Sequence, residues 1–180
     1  AQWQSAGDGD ALLRARLDRP TPRVALGRAL RGIANACIDV SDGLLADLGH
    51  VCAGSGVGAG VEIAALPSSD ALRTTFEAER CRLLQAGGGD DYELCFTAPA
   101  SAHEAVREAA SAAATAVSCI GRIEEGAGVT ARLADGGAAT LQMLQGKAVQ
   151  LSSIWAFGCL FFAALGGGAF SEDRLVKKEF

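Results

Sequence analysis

Residues 36–54 change hydrophobic period within one short turn. Ala36-Cys37-Ile38-Asp39-Val40 is an apolar run with a carboxylate near its end; Ser41-Asp42 follows, and GLLADLGHVCAG then repeats at helical spacing. A strand that feeds a helix through so short a turn commits the chain to alternating elements, and the flanking sequence keeps that rhythm. Gly54, Gly56, Gly58 and Gly60 break the helix, VEIAAL at 61–66 reads as the next strand, and Pro67-Ser68-Ser69-Asp70 opens a long helix to about Gln85. Tyr92 to Thr97 forms another strand and residues 101–114 an alanine-rich helix. Residues 117–123 and 128–133 form two further strands around an EEGAG turn. Upstream, residues 10–18 have helical spacing and stop at Arg19-Pro20-Thr21-Pro22. Residues 23–33 follow as a second helix, with Arg23, Arg28 and Arg31 toward solvent. Five strands and four or five helices predict an α/β (α+β) layered domain, a mixed sheet covered by helices.

A chain of 180 residues that is 49% hydrophobic suffices for one sizeable core. Its net charge of −5 excludes a surface built to neutralise nucleic-acid phosphates. The six cysteines form no C-x-x-C pair and sit mostly in apolar runs, as expected of thiols in a reduced cytoplasm. The amino terminus, AQWQSAGDGD, has neither the basic start nor the apolar stretch of a secretory signal, and no initiator Met, so the chain is expected to begin within a longer protein. Residues 148–170 are uncharged. Gln150, two serines and the run Gly166-Gly167-Gly168 leave an apolar core of about 16 residues, short for a bilayer span, and a membrane role is not expected.

Two acidic motifs carry the chemistry. Asp39 and Asp42 stand three apart at a strand end and a helix start, so both carboxylates can face the crevice beyond the strand's carboxyl end, where α/β sheets bind ligands. Hard oxygen donors of this kind suit magnesium, which bridges one or two carboxylates to substrate phosphates. Ser41 adds a hydroxyl within reach of a phosphate oxygen. The same residues also serve an ordinary purpose, because Ser41 or Asp42 can cap the helix. The second motif, Gly87-Gly88-Gly89-Asp90-Asp91-Tyr92-Glu93, joins a helix to a strand. Its glycines permit close ligand approach and its adjacent carboxylates call for a cation or a donor, although a glycine helix stop with a solvated acidic turn has the same composition. Strand alternation points Glu93 away from Tyr92. His50, His103 and Arg122 read as surface or satisfied side chains.

IDVSDGLLADLGH, GAGVEIAALPSSDAL and GGGDDYELCFTAP, preceded by RPTPRVALGRAL, together resemble the carboxy-terminal half of the thiamine-monophosphate kinases, from about residue 10 to residue 142. That family shares a superfamily with aminoimidazole-ribonucleotide synthetase and selenophosphate synthetase. The resemblance implies ATP-dependent in-line transfer of a phosphoryl group to thiamine monophosphate, with magnesium as the metal, no covalent enzyme intermediate and no catalytic nucleophile. It implies that Asp39 and Asp42 are magnesium ligands, Ser41 a nucleotide contact and Asp90 a substrate contact, with Asp91, Gly88 and Gly89 in support. Family members often carry Glu at the position of Asp90, which reaches one methylene further. The resemblance also implies a cytoplasmic enzyme that is a homodimer at full length.

Two departures bear on function. The family's amino-terminal domain, which supplies most nucleotide and metal ligands, has no counterpart in these residues, so the chain alone is expected to be inactive. The family's closing Gly-aromatic-Asp-His-Phe signature is replaced by LQMLQGKAVQ, where Trp155 or Phe157 is a weak substitute. The domain plan expected is an opening helix and linker at 1–22, the kinase carboxy-terminal domain at 23–142 and an atypical apolar tail at 143–180. The alternatives are a non-catalytic partner domain that binds magnesium or phosphate, and another synthetase of the same superfamily.

Overall fold

The computed structural model describes residues 8–133 and 138–140; the tail from 143 onward lies outside the described residues. The helices are α1 (Asp8–Asp18), α2 (Val24–Ala29), α3 (Leu44–Ser55), α4 (Asp70–Thr75), α5 (Ala78–Gly87) and α6 (His103–Ala112). The strands are β1 (Ala36–Asp39), β2 (Gly58–Glu62), β3 (Leu94–Thr97), β4 (Gly121–Glu124), β5 (Gly128–Arg132) and β6 (Ala138–Thr140).

Both motifs sit on one antiparallel pair. β1 and β3 run from Ala36 opposite Thr97 to Asp39 opposite Leu94. The mixed sheet expected from the sequence is the other one, ordered β4-β2-β5-β6, in which β2 and β5 are parallel and the two outer pairings antiparallel. Helix α3 joins the two sheets by packing on β1, β2 and β5. Its buried Leu44, Leu45, Leu48 and Cys52 meet Val40, Ala59, Val61 and Val129 in the main core.

Two smaller clusters complete the packing. α2 rests on α6 through Leu26, Leu30, Val106 and Ala110. α1 rests on α4, where Leu13 joins Ala71, Leu72, Cys81 and Leu84.

Three sequence expectations shift. β2 begins at Gly58 and gives way at Ile63 to a short 3₁₀ turn, so Gly58 and Gly60 are strand residues and not helix breakers. β4 covers 121–124, whereas Val117 belongs to the core under α2 and α6. The long helix expected from Asp70 is two helices. Ser69 caps α4 by accepting the Leu72 amide at 3.1 Å, but Phe76 is extended and closes it. Thr74, Thr75 and Phe76 all restrict χ1 against a helical turn, and Phe76 packs on the α4–α5 core.

The five cysteines among the described residues are free thiols. Burial raises the thiols of Cys52 and Cys81, and pushes Cys95 up to about 12. A thiol whose folded pKa exceeds its unfolded value of about 8.5 favours the fold below that value and loses the contribution as pH rises toward the folded pKa. Cys95 is therefore expected to lower stability by roughly 2 kcal/mol between pH 8 and pH 10. Urea denaturation of the parent and of Cys95→Ala across that range measures it; the variant's pH slope should be the shallower.

Candidate functional site

β1 alternates outward Cys37 and Asp39 with half-buried Ala36 and Ile38, then buries Val40 completely. The chain turns through Ser41, Asp42 and Gly43 before α3 begins. Asp39 and Asp42 are exposed and Ser41 is half-buried. The helix-cap alternative for Ser41 or Asp42 fails. Gly43 holds the N-cap position, with no side-chain cap.

The unpaired amides of the turn go instead to Asp47, a residue inside the helix that is only 3% exposed. Its Oδ2 accepts the backbone N–H of Ser41 at 2.9 Å, of Asp42 at 3.0 Å and of Gly43 at 3.2 Å. Three donors converging on one carboxylate oxygen fix the turn from within. Ser41 and Asp42 thus keep side chains that the helix does not use, apart from a long 3.5 Å contact between Ser41 Oγ and Asp42 Oδ1.

The second motif is clasped to the first by main-chain bonds. Val40 donates to the carbonyl of Glu93, Tyr92 donates back to Val40, and Asp90 donates to Ser41, each at 2.8 Å. The β1–β3 ladder therefore runs on into both loops. Glycine makes the approach possible at two points. A Cβ on Gly89 would lie 2.5 Å from the Ser41 carbonyl oxygen, and one on Gly43 would lie 2.8 Å from that of Gly87. Gly88 is buried against the end of α5, donating to Leu84 at 2.8 Å.

Asp90 and Asp91 do not share a solvated turn: Asp91 is 2% exposed and Asp90 half-buried. Asp90 and Tyr92 both adopt left-handed backbone, with φ of 64° and 52°. Each such non-glycine residue costs about 1–3 kcal/mol, and strain of this kind gathers at functional sites. Tyr92 is 43% exposed and, with Asp90, Leu17 and Pro20, lines an open depression beside the end of α1.

Glu93 is completely buried, opposite in exposure to Tyr92 as expected. It accepts Arg16 Nη2 at 2.6 Å on Oε1, and Arg23 at 2.7 Å from Nε to Oε2 and 2.8 Å from Nη2 to Oε1. Arg23 is thus turned into the protein rather than toward solvent, with 14% of its side chain exposed. Neither Asp47 nor Glu93 stood out in the sequence as a site residue, although alternation already set Glu93 opposite to Tyr92. His50 and Arg122 are exposed and His103 half-buried. No group of three His, Cys, Asp or Glu side chains among the described residues is arranged to hold a metal ion. What the strand end and the turn offer together is two exposed carboxylates, Asp39 and Asp42, and one hydroxyl.

The strand–turn–helix with its pinned acidic turn and the glycine-rich acidic loop clasped to it lie within the stretch that matches a defined family. The sequence family described as AIR synthase related protein, C-terminal domain, matches residues 4–134, and the chain belongs to it. Among its relatives within that class are kinases. It is 43% identical over 122 residues to the thiamine-monophosphate kinase of Escherichia coli (strain K12), covering 68% of this chain and 37% of that protein. The Haemophilus influenzae thiamine-monophosphate kinase is 41% identical over 126 residues, covering 69% and 38%. The crystal structure of thiamine-monophosphate kinase from Stenotrophomonas maltophilia K279a matches 73% of this chain and 40% of its own, with 50% identity and a TM-score of 0.68. A structure of AaThiL complexed with AMPPCP and TMP matches with 29% identity and a TM-score of 0.59, over 74% of this chain and 40% of its own. The chain spans about two fifths of the length of the relatives it matches.

Proposed function

We propose that this chain supplies the carboxy-terminal part of a thiamine-monophosphate kinase, in which ATP phosphorylates thiamine monophosphate to thiamine diphosphate. The observation that carries the reading is the clasp itself: turn 41–43 and loop 88–92 are held backbone to backbone, which fixes Asp39, Ser41 and Asp42 relative to Asp90. Kinship with curated kinases, one of whose structural relatives holds AMPPCP and TMP, favours this substrate pair over those of other members of the wider family.

Phosphoryl transfer asks a protein mainly to position two phosphates and to offset their charge. The donor set on the turn fits magnesium, since two exposed carboxylates leave the remaining positions to water and phosphate oxygens. Asp39 and Asp42 would hold the ion, which when bound neutralises charge on the phosphates. Ser41 presents its hydroxyl to the nucleotide. Asp90, held left-handed at the mouth of the depression, faces the acceptor, with Asp91, Gly88 and Gly89 fixing the shape of its loop. No side chain here needs to become covalently attached to substrate. The kinase reading places the working unit at residues 23–142, in a cytoplasmic protein that dimerises at full length; no helix among the described residues is long and apolar enough to cross a membrane.

Calorimetric titration of thiamine monophosphate into the folded chain with magnesium present tests this. Asp42→Ala and Asp90→Ala should each weaken binding at least tenfold, about 1.4 kcal/mol. A folded parent that does not bind, or variants that bind as the parent does, would overturn the proposal.

A further inference from the structure

We propose that Glu93, through Arg16 and Arg23, is a positioning residue that assembles the depression beside Asp90. The identity of what binds there rests on the kinase reading; the positioning role does not. Glu93 is anchored twice. Its carbonyl oxygen receives the Val40 amide at 2.8 Å, and its carboxylate receives three guanidinium hydrogen bonds between 2.6 and 2.8 Å in a fully buried setting. The Arg23 contact is bidentate, through Nε and Nη2, a fork that fixes the plane of the carboxylate and that lysine cannot reproduce.

With residue 93 locked inward, the residue before it is held at the surface, and Tyr92 is exposed there at a φ of 52° that an aromatic residue adopts only under constraint. Asp90, two residues further back at a φ of 64°, is held between that anchor and its own bond to Ser41. The opposite wall depends on the same carboxylate. Leu17 adjoins Arg16, and Pro20 lies in the linker between Arg16 and Arg23, so both arginine contacts draw that segment against the loop. One buried carboxylate therefore sets two walls that come from segments 70 residues or more apart in sequence.

The test is Glu93→Gln, read by amide exchange and by Cα and Cβ chemical shifts. The Asp90 and Tyr92 amides should exchange at least tenfold faster than in the parent and lose their left-handed shifts. The Asn35 amide, bonded to Thr97 at 2.8 Å at the far end of the same ladder, should keep its protection. Thiamine monophosphate binding, with magnesium, should fall at least tenfold. Equal loss at Asn35 would reduce Glu93 to a general structural residue, and an unchanged loop signature would overturn the proposal outright. Should Glu93→Gln fail to fold, Arg23→Lys, which keeps the charge and loses the fork, carries the same readouts. A parent that binds no thiamine monophosphate while the loop signature still responds to Glu93→Gln would sink the kinase reading and leave the positioning role standing.

Discussion

Replacing Asp47 with alanine should lower the thermal unfolding midpoint by roughly 10–20 °C, the larger of the two stability effects expected at the site. Its Oδ2 accepts three amides, and hydrogen bonds to an ionised group are each worth about 1.5–3 kcal/mol. The three are not additive, because water can reach the amides of half-buried Ser41 and exposed Asp42 once the carboxylate is gone. The Gly43 amide is buried and pays the full cost of losing its partner. A net loss of about 3–5 kcal/mol follows, in the range for breaking a buried charged network. Asp47→Asn keeps an acceptor oxygen in place without the charge, and should cost about half as much. The contrast is Asp39→Asn, which is exposed and should change stability by less than about 0.5 kcal/mol. If Asp47→Ala unfolds at the same urea concentration as Asp39→Asn, the turn does not depend on Asp47 for its shape.

Why Asp47 escaped notice in the sequence is itself physical. A carboxylate in the first turn of a helix normally reads as a favourable partner for the positive end of the helix dipole, on a solvated face. Here the turn doubles back over the helix start, and only that three-dimensional reversal brings the amides of residues 41–43 onto one side chain. The strand, turn and helix of 36–55 were legible because the hydrophobic period changes within three residues. Asp39 therefore falls where the sequence put it, at the end of β1, and Ser41 and Asp42 on the turn before α3. Glu93 was half legible. Alternation set it opposite to Tyr92, but its partners Arg16 and Arg23 lie 77 and 70 residues away, beyond the reach of any local pattern. The misplaced start of β2 has the opposite origin. Gly58 and Gly60 look like breakers in isolation, yet β2 is flanked on both sides by strands, and the Arg132 guanidinium lies where a Cβ on Gly60 would sit. Tertiary contact overrode local propensity there, as it did where Phe76 left the helix for the core.

Gly43→Ala should cost about 3 kcal/mol or more, for two reasons that a urea titration can separate. Gly43 has φ 116° and ψ 146°, close to a backbone region that essentially only glycine occupies. Its added Cβ would also stand 2.8 Å from the Gly87 carbonyl oxygen and 2.9 Å from the carbonyl carbon, at the end of α5. Both atoms are backbone, so relief requires the turn and the loop to move apart. Gly89→Ala meets the same interface from the other side, with its Cβ 2.5 Å from the Ser41 carbonyl oxygen. If the clasp is one shared contact, the two substitutions couple: the loops separated by the first leave room for the second, and the double variant should lose at least about 1 kcal/mol less than the sum of the singles. Additivity within about 0.5 kcal/mol would mean that each glycine answers only a local strain. The same cycle bears on ligand binding, because the Cβ that parts the turn from the loop also parts Asp42 from Asp90. A coupled loss of stability should therefore come with weakened thiamine monophosphate binding in both single variants, although neither substitution touches a polar side chain.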